Sequence, residues 1–169
     1  MDQNVDKNFD IKSKILNIFQ KNKIKIYSLV IILFILLFFL TFMKIDKEKN
    51  NNLMSEKYIQ AGIYLSKNKD EESRKILEEI IFNKHKFYSI LSLNIILEKN
   101  LEKNFDKVLS YFEIIEKLRI SKSQKNLISF KKALFLLKNN QTEQGNDILN
   151  KLIETNSEFK FLAEQVLNK

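Results

Sequence analysis

IYSLVIILFILLFFLTFM, residues 26–43, runs for eighteen positions without a charge. As a helix it reaches roughly 27 Å at 1.5 Å per residue, close to the hydrocarbon thickness of about 30 Å. Fourteen of the eighteen are Leu, Ile, Val or Phe. At about −0.3 to −0.6 kcal/mol each, these favour insertion by roughly 4 to 8 kcal/mol in sum. A soluble core helix this long and this uniformly apolar is unusual, so the stretch predicts a transmembrane helix over 26–43. The run exceeds the usual signal-peptide core, and Thr41, Phe42, Met43 and Lys44 offer no small-x-small cleavage site, so it is expected to be retained as a signal-anchor.

The flanks orient the span. Lys12, Lys14, Lys21, Lys23 and Lys25 crowd its N-terminal side, against Lys44, Lys47, Lys49 and Lys57 after it. The positive-inside bias then puts the N-terminus in the cytoplasm of a bacterial inner membrane. Everything beyond residue 50 faces the periplasm, or the outside in a cell with one membrane. The expected organisation is a basic cytoplasmic segment (1–25), the span (26–43), a polar linker (44–52, ending in three Asn) and a helical domain (53–169). Ahead of the span, Ile11, Ile15, Ile18 and Phe19 share one helical face among lysines. Two readings of that face stand: a segment lying on anionic lipid, or a plain tail whose lysines only set topology.

Composition points to helix after the span as well. The chain has no Pro and two Gly, Gly62 and Gly145, so the residues that punctuate strands and tight turns are missing. The absence of Cys excludes structural disulfides, Cys-ligated zinc and thiol catalysis. The net charge of +8 is mixed: six Lys and three Asp give +3 over residues 1–25, and twenty basic residues face sixteen acidic ones from residue 53 onward. Lys and Glu alternate along helical faces instead of forming one basic stripe, which reads as a solvated surface and not as a nucleic-acid footprint.

Apolar residues recur at helical spacing almost to the end and predict helices over 53–67, 70–83, 87–99, 103–118, 123–137, 142–154 and 157–168. Asp70 and Thr142 stand at helix starts as capping candidates. The short polar breaks between helices imply antiparallel neighbours. The helices also repeat. YIQAGIYL at 58–65 lies over FKKALFLL at 130–137, a shift of 72 without a gap. Ser73 and Leu77 then fall on Gly145 and Leu149, and a middle copy fits at a shift of 32. The two steps of 32 and 40 average 36, near the 34-residue tetratricopeptide period. In such a pair, small residues let two helix backbones approach while large ones fill the groove to the next pair. Ala61 with Ser73, and Ala133 with Gly145, take the close-approach positions; Tyr64, Leu77, Leu136 and Leu149 take the large ones. The middle copy departs, with Leu93 and Phe105 where small residues are expected and Leu109 at a large position. No copy has the usual repeat-ending Pro, and only the first has Gly, at Gly62, near its first-helix close-approach residue. The expected fold is all-α: one transmembrane helix, then degenerate tetratricopeptide-like pairs. An unrelated helical bundle is the alternative.

YSILSL at 88–93 leading to EKNLEK at 98–103, the early helix at 58–65, the single span and the short charged N-terminus together carry a resemblance. The chain resembles the ancillary subunit of the bacterial SecYEG translocon (YfgM-like), whose repeat domain is also related to that of the cell-division coordinator CpoB. The resemblance covers most of the chain on motifs that are not catalytic. It implies an inner-membrane protein with a periplasmic repeat domain, partnered by translocon subunits or envelope chaperones. Longer members continue past the equivalent of Lys169, which implies that the last helix, 157–168, lacks a mate and leaves Phe159, Phe161, Leu162 and Val166 partly exposed.

Catalytic, metal and cofactor signatures are not found. His85 is the lone His, which removes two-His metal motifs and leaves a Ser-His-Asp arrangement dependent on one interhelix residue. Glu71-Glu72 and Glu78-Glu79 sit beside lysines and read as surface charges and i,i+4 partners. Two distant glycines make no phosphate loop. Tyr58, Tyr64, Phe130 and Phe135 fall on apolar faces and read as core. The leading expectation is a non-enzymatic, membrane-tethered adaptor; an envelope-structural, cell-division-related or lipid-handling protein is the alternative.

Overall fold

Residues at i, i+3, i+4 and i+7 share a helix face, and the apolar residues of this chain follow that spacing. The computed structural model describes residues 3–168, with side chains at residue 14 and over 19–168. All regular structure among the described residues is helical: α1 Gln3–Ser66, α2 Asp70–Phe82, α3 Tyr88–Glu98, α4 Phe105–Glu116, α5 Lys122–Lys138, α6 Thr142–Glu154 and α7 Lys160–Leu167. The chain divides into two units, Met1–Asn50 and Asn51–Lys169. Residues 44–52, read as a linker, are helical within α1, and the division falls inside them.

In the first unit α1 departs from helical geometry at Asn22 (φ −120°, ψ 17°). Beyond it lies a stretch long and apolar enough to cross a membrane, none of it buried. The Thr41 hydroxyl donates to the carbonyls of Leu37 and Phe38 at 2.9 and 2.8 Å, so this polar group is satisfied inside its own helix. The side chains of Ile11, Ile15 and Ile18 lie outside the described residues.

The second unit holds the last part of α1 and helices α2–α7. Five residues take the left-handed conformation, Asn68, Lys84, Asn100, Asn140 and Asn156, with φ between 48° and 62°. They stand at the breaks between helices, and four are Asn, the non-glycine residue that tolerates this region best. The four Asn turns close with carbonyls of the outgoing helix accepting bonds: Lys69 N–H to Tyr64, Leu101 to Ile96, Gln141 to Leu136 and Ser157 to Leu152, all within 3.0 Å. These are Schellman-type endings in which Asn replaces the customary Gly, and they explain how a chain almost without glycine turns so often.

Capping does not follow the sequence reading. Asp70 and Thr142 are the first helical residues, not caps; the cap positions are Lys69 and Gln141, neither of which caps with its side chain. Side-chain caps occur at Asn104, which accepts from the Lys107 N–H, and at Ser121, which forms a reciprocal box with Gln124.

Two apolar clusters form. One gathers Ala61 and helices α2–α4 around the fully buried Leu77, Leu93, Tyr111 and Phe112 and reaches Ile128 of α5. The other joins α5, α6 and α7 through Ala133, Leu149, Leu152 and Ala163. The final helix is therefore not without a mate. It packs on α6, its Ala163 is buried, and Phe159 stacks on Phe130 at 5.5 Å; Phe161 and Leu162 stay exposed.

The residues expected to pack the repeats are distributed as follows. Ala61, Ser73, Leu77, Leu93, Ala133, Leu136, Gly145 and Leu149 are buried, while Tyr64 and Leu109 are half-buried. In α4 the buried residues are Val108, Tyr111, Phe112 and Ile115, and Leu109 lies at their edge. Gly62 faces open space, whereas a Cβ at Gly145 would lie 2.8 Å from Leu137 and 3.2 Å from the Ala133 carbonyl. Of the two glycines, Gly145 is the one at a close approach.

Candidate functional site

On α5, Lys131, Leu134, Phe135 and Lys138 fall at i, i+3, i+4 and i+7 and so form one stripe. That stripe faces the end of α3 and the start of α4 across an open cleft of about 450 Å³. Ile96, Leu97 and Val108 complete its apolar surface, and Glu98, Asn100, Glu102, Lys103 and Asn139 line its edge. Phe135 is fixed from the α4 side, stacked on Phe105 at 5.5 Å and tilted against Phe112 at 5.9 Å. Leu134 remains 38% exposed, an apolar side chain offered to the cleft.

One wall is held by an ion network that crosses from α2 to α4. Arg74 reaches Glu71 at 2.6 Å, Glu78 at 3.1 Å and Glu102 at 2.9 Å; Lys107 reaches Glu78 at 2.8 Å and Glu102 at 3.3 Å. The side chains of Arg74, Glu78 and Glu102 are only 12–15% exposed. Glu78 is thus not the surface charge that the Glu78-Glu79 pair suggests, although Glu79 is exposed and pairs with Lys57. The backbone N–H of Asn104, then Lys107 and Arg74, hold the Glu102 carboxyl below its usual range. The network therefore pins the α3–α4 turn, and with it Lys103 and Asn100, to α2. Beneath it the Tyr111 hydroxyl is buried beside the Glu78 carboxylate. Burial first, and the adjacent Glu78 carboxylate second, push its pKa up to about 12.

The rim of the cleft carries charge. Lys57, Lys107 and Lys132 each meet a carboxylate, Lys132 on Glu116 at 2.9 Å. Lys103, Lys131 and Lys138 have no ion-pair partner among the described residues. Glu98 and Glu102 share the rim with these lysines, Glu102 already engaged by Arg74 and Lys107, so charges of both signs surround an apolar floor.

Among the described residues no group of three or more His, Asp or Glu is placed to hold a metal ion. His85 turns its Nδ1 toward the start of α3, accepting from the N–H groups of Phe87 and Tyr88 at 3.3 and 3.2 Å. Its role is to satisfy donors that the helix leaves open. The cleft itself was not visible in the sequence. Its signal was the 131, 134, 135, 138 stripe on α5, overshadowed by the neighbouring apolar positions that pack α6. No protein-family model, no curated protein and no solved structure matches the chain.

Proposed function

We propose that this chain is a membrane-tethered adaptor: residues 26–43 span the membrane, and the helical unit after residue 50 presents the α3–α4–α5 cleft to another protein. The observation that carries this reading is the open, apolar-floored cleft, held in shape by an ion network and carried in the same chain as an exposed charge-free span. Tethering keeps a binding surface at high effective concentration near membrane complexes, so modest affinity suffices.

The repeat architecture belongs to the same proposal. Helices of residues 53–154 form three degenerate tetratricopeptide-like pairs. Support comes from recurrences at 72 residues: buried Ala61 and Ala133, Ser73 and Gly145, Leu77 and Leu149, Ile80 and Leu152. The left-handed turns recur with them, Asn68 with Asn140 and Lys84 with Asn156. Stacked helix pairs build extended binding surfaces of this kind. The lysine asymmetry around the span supports a place for the unit on the outer face of an inner membrane. Translocon subunits or envelope chaperones are the partners to test first.

The test is co-purification of the tagged full-length protein from its native membrane in mild detergent, with partners identified by mass spectrometry. A form lacking residues 1–45 and exported by another signal is the control. Translocon subunits or chaperones, lost without the anchor, support the proposal. Division or cell-wall proteins keep the adaptor but move its task. No protein partner at all refutes it in favour of lipid handling or catalysis.

A further inference from the structure

Asn22, with φ −120° and ψ 17°, interrupts α1 four positions before the charge-free run begins at Ile26. Across this break the rings of Phe19 and Tyr27 meet edge to face, their centroids 6.1 Å apart. In an unbroken helix eight residues rise about 12 Å, and side chains all lean toward the N-terminus, so two such rings would keep that separation. The contact therefore needs the chain to bend at Asn22 toward the face that carries Phe19. By register Ile11, Ile15 and Ile18 share that face, within an arc of about 100°. Ser13, Asn17 and Gln20 fall opposite, Lys14 and Lys21 stand at one border of the arc and Lys12 at the other. We propose that residues 11–21 are an interfacial helix, lying in the headgroup region of the bilayer that the span enters, with the Ile11–Ile15–Ile18–Phe19 face toward the acyl chains. This rests on the span of the adaptor reading and adds a second membrane contact to it.

The place of the face selects lipid as its occupant. The span enters hydrocarbon directly beyond the bend, so a helix that tips toward its own apolar face at that point lays the face on the same hydrocarbon. Phe19 and Tyr27 are 40% and 57% exposed, and Tyr27 stands at the start of the run, where an aromatic ring with a polar tip suits the interface. At roughly 16 Å, residues 11–21 are too short to cross a bilayer but long enough to lie along its surface. The borders of the arc are the positions from which a lysine keeps its stem on apolar surface and its ammonium at headgroup phosphates. Between Asp10 and Asp46 the chain has no acidic residue to be repelled by those phosphates.

The chain has no Cys, so single cysteines carry spin labels without background. Full-length protein in nanodiscs of phosphatidylcholine and phosphatidylglycerol is labelled through Ile15→Cys, Ile18→Cys, Ser13→Cys or Asn17→Cys, one at a time. Relaxation by oxygen and by a water-soluble nickel complex is then measured at each. The oxygen-to-nickel accessibility ratio at positions 15 and 18 is expected to exceed that at 13 and 17 several-fold, with burial about 5–10 Å into the boundary between headgroups and acyl chains. Equal access of the nickel complex at all four positions overturns the proposal and describes a tail in water. Labels at 15 and 18 shielded from both reagents, with dipolar broadening that disappears on dilution with unlabelled protein, overturn it in favour of a second copy. A label through Leu33→Cys separates the helix from the span. Hydrocarbon depth at Leu33 with water at 15 and 18 overturns the interfacial helix alone, whereas nickel access at Leu33 overturns the span and the tether with it.

Discussion

The two glycines of the chain make opposite predictions for the same substitution. In a helix interior Ala is favoured over Gly by about 1 kcal/mol. Gly62 has no atom within 4 Å of where a Cβ would stand, so Gly62→Ala is expected to raise stability by about that amount. At Gly145 the new Cβ would meet Cγ and Cδ2 of Leu137 at 2.8 Å and the backbone carbonyl of Ala133 at 3.2 Å. Rotation about χ2 moves the Leu137 Cδ2 but not its Cγ, so the main overlap persists and α5 and α6 must separate. Overpacking of this kind costs about 1–3 kcal/mol, which outweighs the propensity gain and leaves Gly145→Ala destabilising by about 1 kcal/mol. Truncating Leu137 to Ala removes most of the overlap. On that background Gly145→Ala loses most of its penalty, a coupling of about 1–2 kcal/mol between the sites. Urea unfolding of full-length protein in detergent micelles, followed by far-UV circular dichroism, measures all four. If Gly145→Ala raises the midpoint as much as Gly62→Ala does, α5 and α6 are not in close approach, and the packing argument for the third helix pair fails with it.

Three further outcomes follow from named groups. A tyrosine whose pKa is raised on folding stabilises fully below its unfolded pKa of 10.0 and loses that contribution as pH climbs toward about 12. Relative to Tyr111→Phe, the unaltered protein is therefore expected to lose roughly 2–3 kcal/mol across that window; parallel pH–stability curves would refute this. Lys84 sits at φ 61°, a conformation costing an L-residue about 1–2 kcal/mol, so Lys84→Gly should stabilise by roughly 0.5–1 kcal/mol after its own entropy loss, read as a raised urea midpoint. Ser121→Ala breaks the box with Gln124 and should cost about 1 kcal/mol, with faster amide exchange in the first turn of α5.

Helix positions were legible because they depend on local pattern. The six helices expected after residue 70 appear within a few residues of their expected bounds, and apolar spacing alone carries that information. The caps were misread for a reason the turns make plain. After a left-handed residue such as Asn68, the next N–H is taken by the outgoing helix, as Lys69 bonds Tyr64. The chain then re-enters a helix at once through a backbone (φ −98°, ψ 67°) outside the extended region that side-chain capping needs. Asp70 becomes the first helical residue and serves α2 through its charge, with Glu71 and Glu72, at the positive end of the helix dipole. Asn104 and Ser121, by contrast, are extended (ψ 114° and 159°) and cap.

What the pattern could not reach is pairing between helices. Glu78 resembles Glu79 in sequence, yet one is drawn in by Arg74 and by Lys107, twenty-nine residues away, while the other stays on the surface. The same holds for Lys131 and Lys132, adjacent and chemically identical, one on Glu116 and one at the cleft. A helix advances about 100° per residue, so neighbours face different partners, and which partner each meets is decided by how each helix is turned on its neighbours. The face that α4 turns inward carries Val108, Tyr111 and Phe112, with Phe112 and Phe105 against Phe135. The cleft is therefore a product of how α4 is turned, and residues that alter that turn, Val108 and Tyr111 first, should change its shape before any lysine on its rim is touched.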